Sequence, residues 1–260
     1  MTLDAAVVDR YLGRIGLRRS EVTVDLEGLA RLQYAHLTHV PFTNLDVYER
    51  LDVRTSLDWS VPAVIEGRGG WCFVDNGAFS ALLESLGFEV VRMGALVVMT
   101  ADISPMDDHL TLRVELDRPY LVDVGFGESF TRPIPLDTDA PVEDVAAGRR
   151  FRLSRGDDGR RQLESEQRID GSPVWRLDYR FEEVPRDLDY FTPANEYLRT
   201  EPDLMWTTKR FSTRLTEDGR VTLLDDRIKF APLYGDELVE PLDDEAAWEA
   251  ARRRHLPTPG

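Results

Sequence analysis

The one cysteine of this sequence, Cys72, lies in Arg68-Gly69-Gly70-Trp71-Cys72-Phe73, directly ahead of a segment with helical periodicity. A thiol at the start of a helix feels the positive end of the helix dipole, which favours thiolate and hence nucleophilic character. Arg68 would add to that field, and the two glycines allow backbone N–H groups to approach a bound carbonyl or its oxyanion. The competing reading is a buried structural cysteine. A thiolate nucleophile needs a base, and the base needs an orienting group. Of the four histidines, His36 and His39 stand three apart at a helix end, which reads as capping or packing, and His255 lies in a basic tail. His109 opens a strand-like stretch after Asp107-Asp108 and is the best candidate base. Asp123 lies between Val122 and Val124. A carboxylate in an apolar strand is costly unless paired, so it needs a partner: His109, an arginine or backbone N–H groups.

Simple strand geometry does not join these residues. If Leu116 pairs with Tyr120, His109 and Asp123 share a face but stand about four residues out of register, at about 3.3 Å per residue.

The elements that must position them follow from periodicity. Leu3 to Ile15 has helical spacing and stops at Gly16; a second helix starts after Asp25 and ends before Pro41; a third spans Thr55–Glu66 with Ser56 or Asp58 as cap. Asn76–Leu86 reads as an amphipathic helix with Phe79, Leu82, Leu83 and Leu86 on one stripe and Gly87 as its stop. Strand patterns occupy Phe88–Met99, His109–Leu116, Tyr120–Val124 and Pro173–Phe181. Gly156-Asp157-Asp158-Gly159 and Glu217-Asp218-Gly219 mark hairpins, and Asn195–Thr200 a short helix. Asp137–Gly148 is the longest expected surface loop, and Asp243–Leu256 a terminal helix with acids at its start and arginines at its end.

Composition bounds the rest. A chain of 260 residues, 42% hydrophobic, is long enough for one to two domains and a sizeable core. A net charge of −16 argues against a generic nucleic-acid binder, which needs clustered Lys and Arg. One cysteine excludes an internal disulfide and a thiolate zinc cluster. No secretory leader and no membrane-spanning stretch is visible, so a soluble, cytoplasmic protein with no membrane partner is expected. There is no G-x-S-x-G elbow and no phosphate-binding P-loop. Gly125-Phe126-Gly127-Glu128-Ser129-Phe130 lacks the third glycine of a dinucleotide fingerprint.

Five segments together resemble the arylamine N-acetyltransferase family over most of the chain. They are Tyr11-Leu12-Gly13-Arg14-Ile15-Gly16, Val40-Pro41-Phe42-Thr43-Asn44-Leu45, Arg68-Gly69-Gly70-Trp71-Cys72-Phe73, His109-Leu110, and Val122-Asp123-Val124-Gly125-Phe126-Gly127. The resemblance implies an α+β fold: an N-terminal helical bundle carrying the cysteine (1–87), a central β-barrel carrying the histidine and aspartate (88–185), and a C-terminal α/β lid (186–260). It implies a Cys72, His109, Asp123 catalytic triad and no metal. The implied chemistry is ping-pong transfer of an acetyl or acyl group from acetyl-coenzyme A, through a Cys72 thioester, to the nitrogen of an arylamine or hydrazine. Phe42, Phe126 and Trp206 are the implied acceptor-binding residues, and Gly125 and Gly127 the implied donor-binding ones. The partners implied are a small-molecule amine and an acyl-coenzyme A. The alternative is an amide synthase that closes a macrolactam on a polyketide's own aromatic amine, its acyl chain delivered by a carrier protein. A thiol protease or a non-catalytic binding protein on the same scaffold are the readings from other classes. The chain departs from the family pattern at Thr43 and Val74, where the family has Glu, and at Leu204-Met205-Trp206. Arg68 is therefore expected to turn to Asp75, backbone carbonyls or water.

Overall fold

The computed structural model describes residues 2–98 and 106–256. Eight helices appear among them: α1 Ala5–Arg14, α2 Leu26–His39, α3 Leu45–Tyr48, α4 Leu57–Ile65, α5 Cys72–Leu86, α6 Thr192–Thr200, α7 Met205–Thr208 and α8 Glu245–His255. The strands are β1 Phe42–Thr43, β2 Glu89–Val97, β3 His109–Glu115, β4 Pro119–Val122, β5 Ile134–Pro135, β6 Val142–Asp144 and β7 Arg149–Arg155, followed by β8 Arg161–Ile169, β9 Ser172–Pro185, β10 Phe211–Thr216, β11 Gly219–Leu224, β12 Arg227–Pro232 and β13 Leu238–Pro241. Met99, the expected end of the first long strand, lies outside the described residues, as does Met1.

Local chemistry sets the helix ends as the sequence implies. Asp25 begins α2 by accepting from the Gly28 N–H at 2.8 Å, Asp244 begins α8 by accepting from Ala247 N–H at 2.8 Å, and Gly87 closes α5 at φ 100°. One reading changes. The helix expected from Asn76 begins at Cys72, and every residue from Cys72 to Leu83 is buried, so it is not amphipathic. The reason is its place: α5 runs through the centre, with α1 and α4 on one side and β2 and β3 on the other.

An eight-stranded antiparallel sheet runs β5-β4-β3-β2-β9-β8-β7-β6. Residues from both ends of that order share one core: Leu121 and Ile134 meet Phe151, Leu153, Leu163, Tyr179 and Phe181. Only a sheet curled on itself can bring them together, so the sheet is barrel-like. A second sheet, β1-β10-β11-β12-β13, takes its first strand from the N-terminal region, with Phe42 opposite Thr213, and is covered by α8 through Trp248. The helical core reaches forward in sequence too, since Phe191, Ala194, Leu198 and Leu204 pack into it.

The β3–β4 register corrects the sequence reading. Tyr120 pairs with Val114, not Leu116, and Glu115 pairs with Pro119 across Leu116-Asp117-Arg118. This two-residue shift halves the expected separation of His109 and Asp123 along the strands. A shift of two leaves every side chain on the same face, so hydrophobic alternation was blind to it.

The expected 137–148 loop is also more than a loop. It contains β6, and Asp144 at its end is buried, accepting from the Thr131 N–H, the Thr131 hydroxyl at 2.7 Å and the Ala147 N–H at 3.1 Å. Asp144→Ala leaves three donors unpaired in the interior. We expect it to lower unfolding free energy by about 3 kcal/mol, measured by urea denaturation with an unchanged m-value.

Candidate active site

Cys72 is the first residue of α5, placed there by a tight crossing of chains. Thr43 N–H donates to the Gly70 carbonyl at 2.8 Å, and a Cβ on Gly69 would stand 2.0 Å from the Pro41 carbonyl oxygen. The glycines are there to let α5 and β1 pass closely; the structure assigns them packing rather than the aiming of N–H donors. The free N–H groups at this spot are those of the first turn of α5, which have no partner within the helix. The thiol is buried, with Sγ 3.7 Å from the Asp108 carbonyl oxygen.

His109 begins β3 and Asp123 follows β4. Their side chains meet at 2.6 Å, His109 Nε2 to Asp123 Oδ2, and both are almost fully shielded from water. Diagonal neighbours across an antiparallel pair are within reach of long side chains, which is the separation the observed register leaves. Asp123 is further saturated. Asn76 Nδ2 donates to Oδ1 at 2.8 Å, Gly125 N–H to Oδ1 at 2.9 Å, and the Tyr179 hydroxyl to Oδ2 at 3.2 Å. Burial would raise its pKa, but the His109 charge and these hydrogen bonds hold it below the usual carboxylate range. For His109, burial works to lower the pKa. The Asp123 charge and hydrogen bond, with a further contribution from the Cys72 side chain, outweigh it and raise the pKa to about 10.

Sequence reasoning missed Asn76 and Tyr179. Asn76 stands one helical turn after Cys72, donates to the Leu110 carbonyl at 2.6 Å and accepts from Val124 N–H at 2.9 Å, so it ties α5 to both strands of the site. An i, i+4 spacing from the nucleophile was the available signal. Tyr179, opposite in the sheet, carries no such signal.

Cys72, His109 and Gly125 open onto a cleft of about 410 Å³ whose other walls include Phe42, Trp71, Phe126, Trp206 and Phe211. Phe126 stands edge-on to His109, with ring centres 5.3 Å apart, and Trp206 edge-on to Phe42 at 6.2 Å and Trp71 at 6.0 Å. Gly125 must be glycine, since a Cβ would come within 2.7 Å of the Cys72 Cα. Gly127, at φ 86°, lies against the Phe42 ring and does not line the cleft.

The remaining histidines and the expected partners of Arg68 resolve differently. His36 is buried against Tyr11 and Phe79, with Nδ1 3.1 Å from the Tyr11 hydroxyl; burial lowers its pKa to about 3, so it packs as a neutral ring. His39 Nδ1 meets the Ala35 carbonyl at 2.9 Å, and His255 stacks on Phe230 rather than standing in solvent. Arg68 does not take Asp75. It pairs with Asp46 and with Glu66, at 3.2 Å for the latter, over the Trp59 ring. Two carboxylates therefore neutralise the charge expected to support Cys72. Thr43 instead donates its hydroxyl to the Phe211 carbonyl at 3.0 Å, and Val74 is buried in the core. Among the described residues no group of three or more His, Cys, Asp or Glu could hold a metal, and no helix is long and apolar enough to cross a membrane.

A buried thiol, imidazole and carboxylate opening on an aromatic cleft define a site for covalent acyl chemistry. The profile of the N-acetyltransferase family matches residues 25–251. Human arylamine N-acetyltransferase 1 is 30% identical over 233 residues, covering 82% of this chain and 79% of its own. The arylamine N-acetyltransferase of Mycobacterium smegmatis superposes with a TM-score of 0.85 at 29% identity, over 99% of this chain and 93% of the other. That of Mycobacterium marinum, solved with coenzyme A, does so at 0.85 and 26%, over 96% and 92%. The chain belongs to the N-acetyltransferase family and is an acyltransferase of α+β fold.

Asp75 yields a prediction of its own. It is fully buried, and neither carboxyl oxygen has a hydrogen-bond partner among the described residues. Burial first, then the nearby Asp123 charge, raise its pKa well above 3.8, although the Gly70 N–H pulls the other way. The folded state thus holds a proton that the unfolded chain releases above about pH 4, and stability falls as pH rises from there toward the folded value. We expect Asp75→Asn to remove this slope, so that its gain in Tm over wild type is larger at pH 8 than at pH 5. A gain independent of pH would show that Asp75 does not titrate differently on folding.

Proposed function

We propose that this protein moves an acetyl group from acetyl-coenzyme A to the nitrogen of an arylamine or hydrazine by a ping-pong reaction through a thioester on Cys72. The observation that carries the residue assignment is the 2.6 Å contact between His109 and Asp123 in the wall of the cleft onto which Cys72 opens. The family membership supports the donor and acceptor classes. All the relatives named above are arylamine N-acetyltransferases, so nothing favours the macrolactam-forming alternative or a carrier-protein partner, and both are set aside. A protease reading is displaced on the same ground.

In this reading Cys72 is the nucleophile, His109 the proton carrier and Asp123 the group that fixes the ring. Asp123 holds Nε2, which leaves Nδ1 for the thiol. Cys72 Sγ gives its proton to His109 and attacks the thioester carbonyl. A new S–C bond forms, and the C–S bond to coenzyme A breaks. The departing thiolate takes the proton back from His109. The neutral amine then attacks the Cys72 thioester, His109 removes the proton that the nitrogen must lose, and Cys72 leaves as thiolate beside an imidazolium. The two half-reactions use the same proton position, so no other acid or base is required. Phe42, Phe126 and Trp206 are the walls we assign to the acceptor ring, since edge and face contacts with an aromatic amine suit their arrangement. Gly125 leaves room beside Cys72 for the donor's reacting end; Gly127 serves it only by shaping the turn. We read segments 1–87, 88–185 and 186–260 as the parts that supply the thiol, the base with its orienter, and the lid. A cytoplasmic place of action suits a reaction that needs a free thiol.

Incubation with acetyl-coenzyme A should add one acetyl group by intact mass, absent in Cys72→Ala. A folded wild type that no acyl thioester acylates would sink the reading. His109→Ala should lose nearly as much acylation rate as Cys72→Ala, because members of such a unit act non-additively. Asp123→Asn should lower the rate by a factor on the order of 10³–10⁴. It should also move the alkaline limb of the acylation pH profile down. With Asp123 present, His109 keeps its proton until about pH 10. Without that charge the limb falls toward the ordinary imidazole range near pH 6.5. An unmoved limb would show that Asp123 does not act through His109.

A further inference from the structure

The cleft does not end at its aromatic wall. Glu128, Arg149 and Gln167 line it on the barrel side, and the same three residues line a second cavity of about 630 Å³ beyond them, so the two spaces are contiguous. Their chemistry differs. The wall beside Cys72 is mainly Phe, Trp and Leu, whereas the outer cavity is lined by charged side chains and Tyr234.

Most of the outer cavity's carboxylates are already engaged. Glu128 pairs with Arg149, Glu166 with Arg150, and Asp144 with the Thr131 and Ala147 backbones; Glu143 stands opposite Arg150 in the β6–β7 ladder. Arg168, at the exposed end of β8, has no carboxylate within ion-pair distance among the described residues, only a 3.5 Å bond to the Gly171 carbonyl. Arg149 keeps donors to spare, since one carboxylate cannot use all five guanidinium N–H groups. The positive charges of Arg220 and Lys229, from the second sheet, also act on Glu128. Tyr234, on the turn between β12 and β13, is 81% exposed, yet its ring forms part of the cavity wall. An unpaired guanidinium beside an uncovered aromatic ring is suited to a phosphate attached to a planar base. The rest of the molecule makes such a spot necessary. A chain with a net charge of −16 repels a polyanionic donor at long range, so affinity has to come from a place where that field is locally offset.

We propose that this outer cavity holds the phosphorylated nucleotide end of the acyl donor, with Arg168 and Arg149 on the phosphates and Tyr234 against the base. The uncharged arm of the donor then runs past Gln167 into the apolar cleft and brings its thioester to Cys72. The inference rests on the acetyl-coenzyme A reading above. An anionic substituent on the acceptor is the other source of negative charge that these cations could hold, and the two half-reactions separate the sources.

The experiment is Arg168→Ala and Tyr234→Ala, singly and together, with acylation of Cys72 followed for acetyl-coenzyme A and for p-nitrophenyl acetate, which has no nucleotide. Each variant should raise the KM for acetyl-coenzyme A by about tenfold, the loss of one charged hydrogen bond or one stacked ring, with kcat retained. The reaction with p-nitrophenyl acetate serves as the control and should keep its rate. Adenosine 3′,5′-bisphosphate should compete with acetyl-coenzyme A on wild type and more weakly on the variants. An unchanged KM for acetyl-coenzyme A overturns the inference, as does an equal loss with both donors, which marks a merely structural effect. A raised KM confined to an anionic amine such as p-aminobenzoate assigns the cations to the acceptor and also overturns it. If wild-type Cys72 is acylated by p-nitrophenyl acetate but not by acetyl-coenzyme A, the donor reading itself falls and this inference falls with it.

Discussion

One buried negative charge organises this molecule. Asp123 is shielded from water, and an isolated carboxylate there would cost several kcal/mol. It is retained because groups from separate parts of the chain converge on it: His109 from β3, Asn76 from α5, Tyr179 from β9 and the Gly125 N–H from its own turn. Gln33 of α2 adds a bond to the Asp123 carbonyl at 3.3 Å. Each partner is thereby fixed relative to the others, so the helical core and the barrel-like sheet cannot slide without leaving that charge exposed to an apolar interior. The electrostatic need that stabilises the docking of the two layers also holds His109 in one tautomer and one orientation.

The same docking explains why the cleft is narrow and aromatic. Bringing α5 against the turn after β4 requires a residue with no side chain at 125, because any Cβ would meet Cys72 and Asn76. β1 is then drawn between the helical core and β10, and Phe42 is turned toward Phe211 and Trp206 at ring distances of 5.9 and 6.2 Å. The edge-to-face arrangement of Trp71, Trp206 and Phe42 gives a rigid wall with little side-chain entropy left to lose on binding a flat acceptor. Rigidity near the nucleophile matters because small displacements of reacting atoms are expensive in rate.

Much of this was legible in the residues. The motif around Cys72, the strand that begins at His109 and the out-of-place charge at Asp123 each pointed to the site, and caps at Asp25 and Asp244 marked helix starts that the structure keeps. What was not legible has physical reasons. The β3–β4 slip of two residues preserves every face, so only the conformation of Leu116-Asp117-Arg118 decides it. α5 looks one-sided because small and polar residues such as Ser80, Asn76 and Asp75 occupy its other faces, yet those faces are buried as well. Tyr179 reaches Asp123 across the curl of the sheet, a proximity that no local pattern encodes.

Asp75 shows how such a site tolerates a second acid. It lies near enough to Asp123 for the two charges to repel. Two carboxylates that close, both buried, are not both ionised; the environment decides which one keeps the proton. Asp123 has four donors around it and an imidazole that gains from its charge, whereas Asp75 has no hydrogen-bond partner to its oxygens among the described residues. The neutral state therefore falls to Asp75. One step along a helix turns a side chain by about 100°. That step separates the buried apolar face of Val74, beside Gly70, from the side where Asp75 meets the field of Tyr11. Arg68, without an acid at 74, is served instead by Asp46 and Glu66 from outside the core. The acid at 75 thus neither supports the arginine nor competes for His109, and the site works because its proton stays in place.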